Sequence, residues 1–164
     1  MLGAFYGKEL TAAEIAGRVC QVEINRDLPI CTAWDLGVDD PTAIWVFQVE
    51  PGRVNVIDYY ESSGYGLEHY VDWLNDNNYR KCIDWVPHDA RGREFGSGRT
   101  RIESMLRLGR KPPRVVPSHS LMDGINAARQ TIPLTYFDAT RCAKGLEALR
   151  EYKSEWDDDL RTFK

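Results

Sequence analysis

Three apolar segments that follow one another with only short turns between them constrain the fold of this chain most. The segments are 30–36, 42–48 and 53–60, and Gly37 and the Pro51-Gly52 pair interrupt them. Short runs rich in valine, isoleucine and aromatic residues, bounded by turn residues, are typical of strands. We therefore expect three consecutive strands joined as an antiparallel meander.

After the meander, helical and strand-like patterns alternate. Thr11 and Glu14 have the spacing of a capping box and predict an earlier helix. The predicted helices are 11–20, 67–77, 101–108, 122–131 and 140–154, and the later strands are 82–86 and 114–116. This order predicts an α/β fold with a mixed sheet of five or slightly more strands flanked by helices. The order resembles that of ribonuclease H-like domains.

Composition narrows the class of protein. The chain has 164 residues, 43% of them hydrophobic, which is enough for one domain with its own core. It contains no apolar run of membrane-spanning length and no signal-peptide pattern, so we expect a soluble intracellular protein. The four cysteines form no Cys-x-x-Cys pair, and we expect free thiols.

Acidic residues end two of the predicted strands. Asp35 ends the first strand and Asp89 follows the fourth, and these strands are neighbours in the ribonuclease H-like order. Two carboxylates at one sheet edge suit Mg²⁺ or Mn²⁺, which prefer oxygen ligands and keep several waters. Asp40, Glu61 and His88 are possible accessory residues. Read alone, an Asp-x-Gly motif at a strand end is more often only a turn.

A basic segment follows Asp89 directly. Residues 91–114 carry eight arginines and lysines against two acids, although the whole chain has a net charge of −4. Such a stripe beside an acidic remainder is typical of a surface that binds a polyanion. It is also compatible with an ordinary solvated helix face. The candidate DNA-binding residues are Arg91, Arg93, Arg99 and Arg101.

Several stretches resemble a known family in the same order along nearly the whole chain. They are WDLGVDDPTA at 34–43, DYYE at 58–61, PHDA at 87–90, DGINAAR at 123–129 and GLEALREYK at 145–153. Together they resemble the C-terminal nuclease domain of tailed-phage large terminase subunits. Residues 1–29 resemble the linker from that family's ATPase motor, which leaves 30–164 as the nuclease domain.

The resemblance implies an endonuclease that cuts concatemeric phage DNA during genome packaging, with two Mg²⁺ or Mn²⁺ ions. By matching motif, Asp35 and Asp89 are metal ligands and catalytic residues. The family's third acid follows the stretch that matches 155–164, so we expect a chain truncated before its last catalytic helix, which would bind metal weakly and cut poorly. Asp157, Asp158 and Asp159 do not match that motif.

The resemblance also implies partners and a location. Double-stranded DNA, the ATPase motor, the small terminase subunit and the portal are the expected partners, with no membrane, in the host cytoplasm. No phosphate-binding loop motif occurs, and residues 93–100 lack its first glycine and its lysine, so ATP binding is not predicted.

Other readings stay open on the residues themselves. A resolvase or integrase-type enzyme would share the two acids but act on junctions or join strands. An actin-like phosphotransferase half-domain is a second alternative, because Asp35-x-Gly37 followed by Thr42 loosely resembles a phosphate-binding hairpin. In a non-catalytic binding module, Asp35 and Asp89 would only shape turns.

Overall fold

The fold is described from a computed structural model. It covers residues 4–37, 41–93 and 97–153, together with the backbone of 156–157 and 162–163. The last two pairs form a small antiparallel hairpin. No helix within these ranges is long and apolar enough to cross a membrane.

The main sheet is mixed and has seven strands in the described part of the chain. They are β1 Val19–Cys20, β2 Cys31–Asp35, β3 Thr42–Glu50, β4 Arg53–Ser62, β5 Ile83–Val86, β6 Arg114–Val115 and β7 Thr135–Asp138. Their order across the sheet is β1-β7-β4-β3-β2-β5-β6. The predicted meander β2-β3-β4 is antiparallel, and the other neighbouring pairs are parallel. The five predicted strands are therefore confirmed, with β1 and β7 added at one edge.

Helices cover both faces of the sheet. They are α1 Gly7–Ile15, α2 Leu67–Asp76, α3 Arg101–Arg107, α4 Leu121–Thr131 and α5 Ala143–Glu151. Helices α2 and α3 share one apolar core with the sheet face that carries Trp34, Ile44 and Val46. Helices α1, α4 and α5 share the other core, against the face that includes Phe137 and Trp45. The result is a three-layer α/β sandwich.

Strand β3 shows why the chain needs both helical layers. Its Ile44 and Val46 are fully buried on one face, while Trp45 and Phe47 alternate with them and pack on the other. Side chains of successive strand residues point to opposite faces. Because both sets are apolar, water is excluded from both sides of the central strands.

The first helix differs from its prediction. It runs over Gly7–Ile15 rather than 11–20, and Tyr6 is its N-cap residue. Thr11 lies inside the helix, where its hydroxyl donates to the Gly7 carbonyl at 2.8 Å, so the expected capping box with Glu14 does not form. The true capping boxes begin α3, with Thr100 and Glu103, and α4, with Ser120 and Asp123.

Candidate active site and DNA-binding surface

Asp35 and Asp89 follow two neighbouring parallel strands. Asp35 is the exposed last residue of β2, and the exposed Asp89 lies in the short 3₁₀ helix His88–Arg91 that follows β5. Strands β2 and β5 pair in parallel, with Ala33 opposite Trp85. Both acids therefore follow the carboxyl ends of their strands at the same edge of the sheet, where ligands bind in open α/β sheets.

Glu61 lies near the same edge, on the sheet face that Asp35 occupies. The register places Asp35 opposite Ala43 on β3, and Ala43 opposite Glu61 on β4. Directly opposed residues share a face, and adjacent strands are about 4.8 Å apart, so the backbones at Asp35 and Glu61 are separated by about 10 Å.

Both oxygens of the Glu61 carboxylate have partners. The Tyr59 hydroxyl donates to Glu61 Oε2 at 2.5 Å, and the Lys144 ammonium contacts Glu61 Oε1 at 2.9 Å. Lys144 comes from the first turn of α5, far away in the chain. The sequence analysis did not select Tyr59 or Lys144, because the contact is made only when α5 packs on the sheet.

The electrostatics of this group agree with an ionised Glu61 and a neutral Tyr59. Burial, the hydrogen bond to Glu61 and the negative charges of Glu61 and Asp35 raise the pKa of the Tyr59 phenol far above its usual value. The Tyr59 hydrogen bond and Lys144 lower the pKa of Glu61. Asp35 lies on the same sheet face as Tyr59 and Glu61, and its charge adds to the rise in the Tyr59 pKa.

The donor chemistry at this edge fits a hard divalent cation. Asp35 and Asp89 offer exposed carboxylate oxygens, and Mg²⁺ commonly binds through one or two carboxylates and keeps several waters. No group of three or more histidine, cysteine or acidic residues within 4–37, 41–93 and 97–153 is arranged to hold a metal. Asp40 and Asp158–Asp159 lie outside the described residues, and only the backbone of Asp157 is described.

His88 lines an apolar cleft beside Asp89. The cleft has a volume of about 320 Å³, and Trp85, Pro87, Val116 and His119 form part of its wall. His88 itself is exposed. His119, which the sequence analysis did not select, therefore lies closer to the candidate site than its position in the chain indicates.

The four candidate arginines do not form one uniform surface. Arg91, Arg93 and Arg99 are exposed, and an isolated antiparallel bridge pairs Arg93 with Thr100. Arg101 is half-buried and donates from Nη1 to the Leu36 carbonyl at 3.0 Å, directly after Asp35. Arg101 therefore contacts the chain at the end of β2.

One member of the basic segment is not a surface residue. Arg110 is buried and forms an ion pair with Asp84, and each of the two side chains is 1% exposed. Two further hydrogen bonds join Arg110 to the carbonyls of Tyr79 and Arg80. Counting Arg110 toward a DNA-binding stripe was therefore wrong, because Asp84 on β5 already neutralises it inside the protein.

The chain is similar to known proteins in its fold, as comparison with solved structures shows. No protein-family model matches the sequence. No curated protein matches it either. Solved structures do match: the large terminase of a thermophilic bacteriophage superposes with a TM-score of 0.66 at 15% identity, over 99% of this chain. The nuclease domain of the bacteriophage SPP1 large terminase, with bound Mn, gives 0.64 at 16% identity, over 82% of this chain and 74% of that one.

This chain has the large terminase nuclease fold. The large terminase nuclease of phage G20c, with bound magnesium, agrees, with a TM-score of 0.64 at 13% identity over 97% of this chain and 85% of that one. The terminase nuclease fold is ribonuclease H-like, as the sequence predicted. The chain spans 41% of the first of these structures, the large terminase with a TM-score of 0.66, which is a longer protein.

Proposed function

We propose that this chain is the nuclease domain of a phage large terminase, a metal-dependent endonuclease that cuts concatemeric DNA during genome packaging. The observation that carries the proposal is the pair Asp35 and Asp89, which end neighbouring parallel strands at one edge of a terminase nuclease fold. Terminase nucleases of this fold have been solved with Mn and with magnesium, which supports the same use of metal here.

In this mechanism Asp35 and Asp89 hold the metal site, and the exposed arginines Arg91, Arg93 and Arg99 hold the DNA backbone next to it. Two divalent ions, when bound, supply an activated water and stabilise the leaving oxygen during phosphodiester hydrolysis. The carboxylates fix the position of the cut on the sheet edge, and the arginines contact phosphates without reading the bases.

We also propose how the domain fits into a longer protein. Because the chain spans 41% of a large terminase that it matches over 99% of its own length, an ATPase motor is its expected neighbour. The small terminase subunit and the portal are the further expected partners. Residues 1–29 are the proposed connecting arm. Within the structure this arm is packed on the domain, since α1 shares a core with α5 and β1 pairs with β7.

The test is nicking of supercoiled plasmid by the complete nuclease domain in the presence of Mn²⁺. The wild-type protein is compared with Asp35→Ala and Asp89→Ala, and Asp72→Ala on α2 removes an equally exposed acid from the far face as a matched control. We expect nicking by the wild type and the control, and loss of nicking with either site variant or with EDTA. Cleavage that persists in EDTA and in both site variants contradicts the proposal. Retention of DNA without nicking points instead to a non-catalytic binding module.

A further inference from the structure

Lys144 occupies an unfavourable place for a lysine. It lies in the first turn of α5, whose opening residues include no acid and whose N-cap residue, Cys142, makes no side-chain capping bond. The N-terminus of a helix carries a partial positive charge, so a cation there is disfavoured. Glu61, at 2.9 Å from the ammonium, offsets that repulsion.

Local packing holds Lys144 at the sheet. The next residue, Gly145, is buried so tightly that an added Cβ would lie 2.5 Å from Trp45 Cη2 and 2.6 Å from Tyr59 Cγ. Only glycine lets α5 approach the strands this closely. The same Tyr59 donates its hydroxyl to Glu61, so the helix, the strand and the carboxylate form one contact group.

The lysine nevertheless stays accessible. Its side chain is 66% exposed, whereas that of Glu61 is 22% exposed. An ammonium group has three donors, so one bond to Glu61 leaves donors for another anion. Glu61 in turn lies on the same face as Asp35, about 10 Å away across Ala43.

We propose that Lys144 binds a backbone phosphate of the DNA strand that lies over Asp35, and that Glu61 is a positioning residue for Lys144 rather than a metal ligand. The inference rests on the proposed nuclease function for its substrate. With Lys144 included, the proposed DNA-binding surface lies on both sides of Asp35: the arginines that follow β5 lie on one side, and Lys144 lies on the other. It also gives Glu61, predicted as an accessory residue, a different role.

The first test measures retention of double-stranded DNA by the whole protein in EDTA, as a function of salt. Lys144→Met should weaken binding about three- to tenfold at low salt and reduce the slope of log affinity against log salt by about 0.9, the loss of one phosphate contact. Lys144→Arg should keep most of the wild-type affinity and most of the wild-type salt slope. Lys81→Met is the matched control, because Lys81 is an exposed lysine at the opposite, amino end of β5. Equal binding by Lys144→Met and wild type overturns the proposal.

The second test separates positioning from simple repulsion. Removing an acid near DNA normally strengthens binding, so an uninvolved Glu61 predicts tighter retention for Glu61→Gln. The positioning role predicts weaker retention instead, and no further loss when Glu61→Gln is added to Lys144→Met. Tighter retention by Glu61→Gln, or additive losses, contradicts the proposal.

Both measurements are made without metal, so they are independent of cleavage. If the wild type does not nick plasmid but Lys144→Met loses retention, the nuclease function fails and the phosphate contact stands. If the wild type nicks and Lys144→Met binds and nicks like Lys81→Met, the nuclease function stands and the role of Lys144 is wrong.

Discussion

Arg110 and Asp84 form a buried ion pair in which Arg110 Nε and Nη2 donate to the two carboxylate oxygens of Asp84 at 2.8 and 2.7 Å. Asp84 Oδ1 also accepts from the Thr32 hydroxyl at 2.5 Å. The pair therefore joins the segment after α3 to β5 and β2, the two strands that lead to Asp89 and Asp35. Its integrity bears on the shape of the candidate site.

Removing one partner of this pair should destabilise the protein strongly. Arg110→Ala leaves the Asp84 charge buried and unpaired, and we expect the free energy of unfolding to fall by about 3–5 kcal/mol. Urea denaturation measures it. The control is Arg107→Ala, which removes an exposed arginine at the end of α3 and should change stability by no more than about 0.5 kcal/mol. Similar small effects for both variants would mean that the ion pair does not hold the strands.

Gly145 should tolerate no side chain. Gly145→Ala places a methyl group against Trp45 and Tyr59, and we expect a loss of about 1–3 kcal/mol from overpacking, also measured by urea denaturation. Gly66→Ala is the control, because nothing lies within 4 Å of its added Cβ and its φ is −75°. Gly66 is the N-cap residue of α2, where alanine is less favourable than glycine, so that variant should cost about 0.5–1 kcal/mol. A stable Gly145→Ala protein would contradict the observed closeness of α5 to the sheet.

Asp58 should make the protein less stable as the pH rises. Burial raises its pKa above the ordinary 3.8, despite hydrogen bonds from the Tyr79 hydroxyl and the Tyr59 amide. A raised pKa in the folded state means that folding favours the protonated form, so stability falls as the pH rises through the folded pKa. The free energy of unfolding of Asp58→Asn, relative to that of the wild type, should therefore be higher at about pH 7 than at about pH 4. The opposite trend in unfolding free energy would contradict this assignment.

Asp138 should behave in the opposite way. Burial alone would raise its pKa, but hydrogen bonds from the amides of Arg141 and Val22 and from the Arg141 side chain lower it overall. Its contribution is present above the ordinary pKa of 3.8 and is lost as the pH falls through the folded value. Asp138→Asn should thus lower the free energy of unfolding more at about pH 7 than at about pH 3. The same denaturation series checks it, with Asp58→Asn as the contrasting variant.

Substitutions of the three exposed arginines should affect DNA binding, whereas a substitution of Arg101 should affect stability. Replacing Arg91, Arg93 and Arg99 together with glutamine should weaken DNA retention and lower its salt slope by about 0.9 per lost phosphate contact, with little change in stability. Arg101→Gln should cost about 1 kcal/mol of stability, because the Leu36 carbonyl loses a charged donor. Salt titration of DNA binding and urea denaturation give the two readouts. Unchanged DNA binding by the triple variant would assign these arginines to ordinary surface.

The central strands could be predicted from sequence because their signal is local. Segments such as 42–48 combine strand-forming residues with turn residues at both ends. Strand β7 lies in a segment where no strand was predicted, and β1 fell inside a predicted helix. These two strands form because β7 pairs with β4 and β1 pairs with β7, which is tertiary information.

In the candidate site, too, some features could be predicted from the sequence and others depend on tertiary packing. The common edge for Asp35 and Asp89 followed from strand order, which the sequence predicted. The partners of Glu61 did not, because Lys144 reaches it only after α5 docks. The burial of Arg110 was missed for a related reason, since an arginine among other basic residues gives no sign that Asp84 lies opposite.

The pairing of β1 with β7 has a consequence for how the chain folds. Val19 lies opposite Phe137, so this edge of the sheet joins two parts of the polypeptide that are far apart in sequence. During synthesis the first segment leaves the ribosome long before its partner exists. Contacts between such distant parts slow folding, because the intervening chain must be closed first. Val19 and Cys20 should therefore stay unpaired until Phe137 and Asp138 have been synthesised, and β1 should be among the last strands to join the sheet.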